Sequence, residues 1–407
     1  MSFLKLTIRD VPLEGTTVLV RADYNVPLDR NNRISDDLRI RASLPTLQYL
    51  LEHNCKVVVM SHMGRPTDHN PELSLKQIGD RLQKLIGTPV QFVDDCIGDK
   101  VLQAVKKTSK GSITLLENLR YYKEEEANDA AFAQKIADAT KARYFVQDGF
   151  GVVHRAHAST HAITACIPSV SGLLLEREYI TITTAMEHPA RPLVAVMGGA
   201  KISDKIPVVE KFIATADKII IGGAMANTFL AYKGHTVGAS MWEADQTEVL
   251  DRIYAAARKK VGDNVDEFII LPKDVAVAED ISPNATRRVV SSDSIGEKDK
   301  ALDIGDQAIQ DMVEAVSDAK TVIWNGTLGY AEIPAFAHGS ARLALALATQ
   351  PDTSSIIGGG DTADFVLKWD SDDGHSFTHV STGGGASLEL MSGEKLPGIE
   401  SLLDARK

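Results

Sequence analysis

The chain has 407 residues, more than the roughly 250–300 at which a single hydrophobic core stops growing, so we expect two domains. Its 44% hydrophobic and 24% charged residues are typical of a globular protein with well-buried cores. The formal net charge of -11 argues against a general nucleic-acid or membrane-surface binder, and the three widely spaced cysteines argue against a zinc or disulfide framework.

Short β-branched runs alternate with helical stretches along the whole chain. They predict strands at 17–21, 56–61, 112–117, 143–148, 192–199, 218–223, 267–272, 321–326, 354–360 and 378–385. Apolar runs of this length, separated by helices, indicate parallel strands that are buried on both faces. These ten units fit two doubly wound sheets better than one barrel. The predicted fold class is therefore α/β, with two Rossmann-like parallel-sheet domains joined by a hinge helix.

The hinge is predicted between the two series of strands. A helix candidate at 173–188 is followed by the proline-containing stretch "PARP", and helices usually end before such prolines. This predicts an N-terminal domain over 1–172, a hinge helix and linker over 173–191, and a C-terminal domain over 192–391. The tail, 392–407, is too short to be a domain, and the residues alone leave open whether it frays or packs back across the other half.

Cationic side chains follow the predicted strands of the first half. They are Arg21, His62, Arg65, Arg120, His154, Arg155 and His157, and Arg39 joins them from the segment after the first strand. Ligands of open α/β sheets bind beyond the carboxyl ends of the strands, so these side chains should share one face. A single arginine there usually pairs with a nearby carboxylate. Their repetition, and the match of a guanidinium to carboxylate and phosphate oxygens, predict a pocket for a small polyanion.

Asp23 and Asn25 stand two residues apart after the first strand. Alternation along an extended segment puts both on one face. They could act as acid or base, or they could orient the arginines and a substrate hydroxyl, and we favour orientation.

The strands of the second half end in glycine instead. The stretches "GGAK", "GGAM", "GGGDT" and "STGGG" each follow an apolar run. Glycine lets the backbone approach a ligand closely, and the N–H groups at the start of a helix bind phosphate. Four such turns in one predicted sheet indicate a nucleotide-phosphate site, although the first of them is not a Walker A loop.

Charged residues accompany these glycines. Lys201 and Lys205 lie four residues apart, which predicts that they share one face of the helix they open, with Lys201 nearer a phosphate. Asp361 could either cap the next helix or hold Mg²⁺ at nucleotide phosphates, and the glycine-rich surroundings favour magnesium. An anion-binding half and a nucleotide-binding half together predict phosphoryl transfer, which depends mainly on alignment and charge neutralisation. An acceptor carboxylate is already ionised and would need no catalytic base.

Nine motifs then occur in order over nearly the full length: "VRADYNVP", "SHMGRP", "LLENLRYY", "HRAH", "GGAKISDK", "IIIGGAM", "WNGTLG", "IIGGGDTA" and "VSTGGGASLELMSG". With these motifs the chain resembles the phosphoglycerate kinase family. The resemblance implies a bilobal enzyme, closing about a hinge, that transfers a phosphoryl group from 1,3-bisphosphoglycerate to ADP with Mg²⁺, giving 3-phosphoglycerate and ATP. It also implies that the last residues return to the N-terminal domain.

The resemblance assigns residues to each ligand. The glycerate side would be Asp23, Asn25, Arg39, His62, Arg65, Arg120, His154 and Arg155. The nucleotide side would be Gly199, Ala200, Lys201, Lys205, Gly222, Gly223, Asn325, Glu332, Gly359, Gly360, Asp361 and Thr362, with Asp361 as the metal ligand. Lys201 would contact the transferring phosphoryl group and Lys205 would support the nucleotide phosphates. Arg39 would stabilise that group from the other domain. It is chosen over Arg41 because it occupies the arginine position of the family's motif.

Some positions depart from the family's usual residues, namely Gln147, Gly149, Val152, Val153, Ala224, Asn227, Thr327 and Ala331. Most are expected near the adenine pocket or the hinge, so they bear on nucleotide affinity and base preference rather than on the reaction.

Two alternatives make different sequence predictions. A catalytically inactive nucleotide- or anion-binding relative should have lost Arg39, Lys201 or Asp361, and all three are present. A dehydrogenase should carry G-x-G-x-x-G after an early strand, and neither half does. Because no apolar run approaches membrane-spanning length, we expect a soluble, cytoplasmic protein. We also expect a monomer with small-molecule substrates and no nucleic-acid or membrane partner.

Overall fold

The computed structural model describes residues 3–405. The strands are β1 (Thr17–Arg21), β2 (Lys56–Met60), β3 (Val90–Val93), β4 (Ser112–Leu116), β5 (Tyr144–Gln147), β6 (Ser169–Ser171), β7 (Leu193–Met197), β8 (Lys218–Ile221), β9 (Ile269–Ile270), β10 (Asp274–Ala278), β11 (Arg288–Ser291), β12 (Lys300–Ile304), β13 (Thr321–Asn325), β14 (Ser354–Gly358) and β15 (His379–Val380).

The helices are α1 (Leu38–Glu52), α2 (Lys76–Ile86), α3 (Gly98–Lys107), α4 (Lys123–Glu126), α5 (Ala130–Thr140), α6 (Leu173–Glu187), α7 (Ile206–Thr215), α8 (Gly223–Tyr232), α9 (Thr247–Val261), α10 (Val265–Phe268), α11 (Asp306–Ser317), α12 (His338–Ala348), α13 (Gly360–Trp369), α14 (Gly385–Ser392) and α15 (Pro397–Glu400).

Two six-stranded parallel sheets dominate the fold, as the apolar runs predict. Their strand orders are β3-β4-β2-β1-β5-β6 and β15-β14-β13-β7-β8-β9. In each sheet the chain enters at a central strand, builds outward to one side, and then resumes on the other side of that strand. The strand order therefore reverses between β1 and β5 in the first sheet and between β7 and β13 in the second. Ligands of doubly wound sheets bind at the carboxyl ends of the strands at such reversals.

The central strands are mainly apolar and almost entirely buried, as expected for parallel strands covered on both faces. In β7, for example, the sequence "LVAVM" is buried at every position. Side chains pointing to opposite faces of the first sheet join different cores: Val18 and Val20 join one cluster, and Leu19 joins another. This burial explains why the apolar runs were sufficient to predict these strands.

Other strands were not predicted. The sequence gives little signal for β3, which is a partly buried edge strand, or for β6, which is only the stretch "SVS". A separate antiparallel sheet, β11-β10-β12, was also missed. Its outer strand β11 is largely exposed and so lacks a buried apolar face.

The chain forms two compact units. The first comprises the residues up to Ile180 together with those from Glu394 onward, and the second runs from Thr181 to Gly393. The division falls within α6, inside the stretch predicted as hinge and linker. Residues 1–2 and 406–407 of the predicted domain ranges lie outside the described residues.

The C-terminal tail packs on the first unit. The backbone N–H of Gly398 donates to the Val153 carbonyl at 2.9 Å, and the Leu6 N–H donates to the Leu403 carbonyl at 2.8 Å. Ile399 and Leu402 are buried. For the described part of the tail, these contacts favour packing over fraying, the choice that the residues alone left open.

The start of α6 is held by a buried carboxylate from the end of β5. Asp148 Oδ1 accepts hydrogen bonds from the backbone N–H of Leu174 at 3.0 Å and of Leu175 at 3.4 Å. Burial raises the pKa of Asp148 to about 7. The connecting helix is thus anchored to the sheet edge from which the first unit's charged residues project.

Candidate active site

Arg39 and Asp23 form an ion pair beyond the end of β1. Arg39 Nη1 lies 2.8 Å from Asp23 Oδ2, and 26% of the Arg39 side-chain surface remains exposed. Asp23 itself is buried. Since Arg39 comes from the first turn of α1 and Asp23 follows β1, the pair fixes the guanidinium relative to the sheet edge while leaving part of its surface accessible.

His62 is buried beside this pair. Its Nδ1 lies 3.2 Å from Arg21 Nη2 and 4.0 Å from Asp23 Oδ1. Burial and then the positive charges of Arg21, Arg120 and Arg39 lower the pKa of His62 well below its ordinary value. His62 is therefore neutral at physiological pH, and it can exchange hydrogen bonds without adding charge to the cluster.

Asn25 and Arg120 both hold the loop after β2 through the backbone of Gly64. Asn25 Oδ1 accepts from the Gly64 N–H at 2.8 Å, and Arg120 Nη1 donates to the Gly64 carbonyl at 2.7 Å. Asp23 Oδ1 in turn accepts from the Asn25 N–H at 3.1 Å. This arrangement favours the orienting role for Asp23 and Asn25. Arg65, next to Gly64, is exposed.

His154 and Arg155 follow β5, across the strand-order reversal from β1. Arg155 Nε donates to His154 Nε2 at 3.1 Å. Burial, followed by the charge of Arg155, lowers the pKa of His154 to about 4. The Nδ1 atoms of His154 and His157 are buried without a hydrogen-bond partner among the described residues. We use the name arginine face for the surface formed by Arg39, Arg65, Arg120, His154, Arg155 and His157.

Behind the arginine face lies a buried network of hydrogen bonds and charges around Arg21. The sequence predicts Arg21 as part of the site but not its partner Glu125. Arg21 is fully buried; its Nε donates to Ser159 Oγ at 2.7 Å, and its Nη2 lies 3.9 Å from Glu125 Oε1. Glu125 also accepts from the Ser159 N–H at 3.0 Å. The acidic run that contains Glu125 looks like a solvated helix face in the sequence, so only the fold shows that this carboxylate lies beneath an arginine.

In the second unit the glycine turns pack against one another. Gly223 has a φ of +61°, and a Cβ built there would lie 2.7 Å from the backbone N of Gly199. The Gly199 N–H donates to the Thr327 carbonyl at 2.8 Å. Gly360, by contrast, would place a Cβ in open space. The glycines after β7 and β8 are thus needed for close backbone packing, while Gly360 leaves room for a ligand at the start of α13.

The prediction that Lys201 and Lys205 share a helix face is wrong. The helix α7 begins at Ile206, with Lys205 as its N-cap residue, so both lysines lie in the preceding turn. We call residues 201–205 the lysine turn. The connection between β7 and α7 is longer than predicted because it contains a turn, in which the Lys205 N–H donates to the Ile202 carbonyl at 2.8 Å.

The two lysines have different surroundings. Lys205 Nζ donates to the carbonyls of Gly198 at 2.7 Å and Asn325 at 3.2 Å. Burial lowers the pKa of Lys205 to about 8, although Asp361 and Asp204 act in the opposite direction. Lys201 is exposed. Lys205 therefore connects the turns after β7 and β13, and Lys201 is accessible to a ligand.

Asp361 lies in the first turn of α13 and is exposed. The N-cap residue of this helix is Gly359 rather than Asp361, and the N-cap position carries no side-chain cap hydrogen bond. The capping role for Asp361 therefore lacks support. An exposed carboxylate near Lys205 suits Mg²⁺, which is usually held by one or two carboxylates together with substrate phosphates.

The remaining predicted nucleotide residues differ in accessibility. Asn325 is buried at the end of β13, and its Nδ2 has no hydrogen-bond partner among the described residues. Thr362 is also buried, and its Oγ1 accepts from the Gly326 N–H at 2.7 Å. Gly222 is buried, whereas Ala200 and Glu332 are exposed, and Gly359 is partly buried. The residues around α13 thus combine backbone support with accessible polar groups.

Several of the unusual residues are explained by their positions. Gly149 follows β5, and a Cβ there would lie 3.3 Å from the Arg21 carbonyl. Gln147 Oε1 accepts from the Gly149 N–H at 3.2 Å. Thr327 supports Gly199 through its backbone carbonyl, so this contact does not depend on the side chain. No contact in the described residues explains the alanine at 331.

Comparisons with known proteins agree on one family. A model of the family described as phosphoglycerate kinase matches residues 8–394. The chain is 43% identical over 399 residues to the phosphoglycerate kinase of Dictyoglomus turgidum, with 98% of each chain covered. It is 45% identical over 405 residues to that of Rippkaea orientalis, again with 98% of each covered.

Solved structures give the same result. The structure of phosphoglycerate kinase from Coxiella burnetii matches with a TM-score of 0.82 at 34% identity, and that from Pyrococcus horikoshii with a TM-score of 0.83 at 28% identity. Both comparisons cover 98% of each chain. The resemblance inferred from the nine motifs, and the fold class predicted from the apolar runs, are confirmed.

Proposed function

The chain belongs to the phosphoglycerate kinase family, and from this premise we propose how its residues divide the reaction between its two units. The enzyme reversibly transfers a phosphoryl group between 1,3-bisphosphoglycerate with ADP and 3-phosphoglycerate with ATP. One observation carries the proposal: in each unit the charged residues assigned to a ligand collect at the carboxyl edge of that unit's own sheet, where the strand order reverses.

The first unit binds the glycerate ligand through the arginine face. Arg39, Arg65, Arg120 and Arg155 neutralise its carboxylate and phosphate, because a guanidinium offers a planar set of donors that matches these oxygens. Asp23 and Asn25 hold Arg39 and the Gly64 loop in position. His62 and His154 act as neutral hydrogen-bonding groups, since the pKa of each lies below its ordinary value.

The second unit binds the nucleotide at the turns that follow β7, β8, β13 and β14. Backbone N–H groups at the start of α13 face the phosphates, as helix N-termini commonly do, whereas those of Gly223 and Met225 in α8 donate to protein carbonyls. Lys201 contacts the phosphoryl group during transfer, and Lys205 supports the phosphates from the turn after β7. The acceptor is an ionised carboxylate, so no residue needs to remove a proton, and catalysis consists of alignment and charge neutralisation.

We assign Mg²⁺ to Asp361. When bound there, the ion would offset the negative charge of the nucleotide phosphates. The Asp361 carboxylate at the start of α13 is exposed and lies near Lys205, so it can meet a phosphate-bound cation.

Replacing Asp361 by asparagine is expected to raise the Mg²⁺ concentration for half-maximal activity by about tenfold, because a charged ligand becomes neutral. Calorimetric titration with ATP should show the same loss: Mg²⁺ should strengthen ATP binding to the wild type and much less to the variant. Asp364→Asn is the control, since Asp364 lies on the same helix and pairs with Lys368 at 2.6 Å. Equal Mg²⁺ dependence in the Asp361 and Asp364 variants would contradict the assignment.

The lowered pKa of Lys205 predicts a pH effect. Lys205 is protonated below its pKa of about 8 and loses its charge above it, so kcat/KM for ATP should fall as the pH rises through about 8. Lys205→Arg stays charged, because an arginine side chain is effectively always protonated, and should lack this basic limb even if its absolute activity is lower. Profiles with the same basic limb in both proteins would assign the limb to another group.

Two further proposals follow from the family and the residues. The enzyme acts as a monomer, because one chain supplies all the residues assigned to both ligands. It acts in the cytoplasm, where glycolytic substrates occur. Within residues 3–405 no helix is long and apolar enough to cross a membrane.

A further inference from the structure

The lysine turn is held at Ile202 and at Lys205, while its other residues are exposed. Ile202 is fully buried, and Lys205 is tied to two carbonyls. Between them, Ser203 and Asp204 are exposed. The exposed residues on either side of Ile202, Lys201 and Ser203, therefore gain order from any further contact that holds this segment.

Glu243 holds that segment from a distant part of the chain. Its Oε2 accepts from the Ser203 backbone N–H at 3.1 Å, and its Oε1 accepts from Ser203 Oγ at 2.5 Å. Both carboxylate oxygens are thus engaged by one residue, 40 positions away in sequence. A carboxylate bound through both of its oxygens fixes the orientation of its partner residue as well as the distance between the two.

The loop that carries Glu243 is itself anchored on α8. The Glu243 N–H donates to Thr228 Oγ1 at 3.1 Å, and Asn227 Nδ2 donates to the Met241 carbonyl at 3.0 Å. Asn227 and Thr228 are both buried. Asn227 is one of the residues that depart from the family's usual pattern, and this hydrogen bond gives it a role.

The same helix also supports the first glycine turn. The Met225 N–H, near the start of α8, donates to the Gly199 carbonyl at 3.0 Å. Hydrogen bonds therefore hold the backbone on both sides of Lys201 to α8. Gly199 is held directly, and Ser203 is held through Glu243. Small displacements of a group that meets a reacting atom have large kinetic effects.

We propose that Glu243 is a positioning residue that fixes the lysine turn, and through it Lys201, relative to the start of α8. The inference rests on the proposed role of Lys201 in phosphoryl transfer. Glu243 acts through Ser203 and does not contact a substrate. Asn227 and Thr228 position Glu243 in turn.

The test compares kcat and KM in purified variants of the full chain. Glu243→Ala should lower kcat by roughly tenfold, with the KM for 3-phosphoglycerate and the thermal midpoint unchanged. Glu243→Gln should restore most of kcat, because its amide can accept from the Ser203 N–H and donate to the Ser203 hydroxyl oxygen. Asp245→Ala is the matched control, since Asp245 lies in the same loop and, within residues 3–405, its side chain accepts only from the neighbouring Gln246.

A double variant separates positioning from a general loss of structure. If Glu243 acts through Ser203, adding Ser203→Ala to Glu243→Ala should reduce kcat no further. Equal kcat in Glu243→Ala and wild type would overturn the inference, and so would a fall in kcat that only follows a lower thermal midpoint. Lys201→Ala, measured alongside, tests the underlying role independently: if it is inactive while Glu243→Ala is fully active, only the inference about Glu243 fails.

Discussion

Replacing Lys201 by alanine is expected to lower kcat by about two to three orders of magnitude, the usual effect of removing one preorganised donor to a transition state. Lys201 is exposed at the start of the lysine turn, so its loss removes a charge without disturbing a buried contact. Because Lys201 is assigned to the transferring phosphoryl group, kcat and kcat/KM should fall together. A coupled assay of ATP-dependent phosphorylation of 3-phosphoglycerate measures both.

The matched control for Lys201 is Lys259→Ala. Lys259 is an exposed lysine near the end of α9, and its removal changes the net charge of the protein equally. It should keep kcat within about twofold, as is usual for surface substitutions that remove no specific contact. A Lys201 variant that loses affinity for ATP but keeps kcat would show that this lysine binds the ground state only.

Replacing Arg39 by alanine is expected to have an effect of similar or greater size, since an arginine that stabilises a transferring phosphoryl group contributes about three orders of magnitude or more to kcat. Arg39 is held at 2.8 Å from Asp23 and keeps part of its surface exposed. Its removal deprives the site of a positive charge and removes the ion-pair partner of the buried Asp23 carboxylate. Both effects weaken stabilisation of negative charge on the ligand.

Arg41 provides the control for Arg39 on the same helix. Arg41 Nε donates to Asp37 Oδ1 at 2.7 Å, and residues two apart on a helix do not share a face. Arg41→Ala should therefore leave kcat within about twofold, with a stability loss of about 1 kcal/mol or less. Comparable loss of kcat in both variants would contradict the choice of Arg39 as the arginine that acts on the ligand.

The sequence predicted the parts of the fold that depend on buried apolar runs. Both parallel sheets follow from strands such as β7 and β13, which are buried at every position. It did not predict the antiparallel sheet β11-β10-β12, because β11 is largely exposed and its pairing depends on residues elsewhere in the chain. Local hydrophobicity contains no information about such partners.

The candidate site shows the same limit. The charged residues that follow strands could be identified because parallel strands bring their carboxyl ends to one edge, as with Asp23 and His62. The burial of Glu125 beneath Arg21 could not be predicted, nor could the bonds from Glu243 to Ser203. Both link segments that lie far apart in sequence, and both involve residue types that usually face solvent.

The central claim is that the first unit binds the glycerate ligand and the second binds the nucleotide, and calorimetric titration of each variant with each ligand tests it most directly. We predict that Arg39→Ala weakens binding of 3-phosphoglycerate and leaves the affinity for ATP with Mg²⁺ unchanged. Lys205→Ala should do the reverse, because Lys205 supports the nucleotide phosphates. Loss of ATP binding in Arg39→Ala, or loss of 3-phosphoglycerate binding in Lys205→Ala, with both proteins folded, would contradict this division.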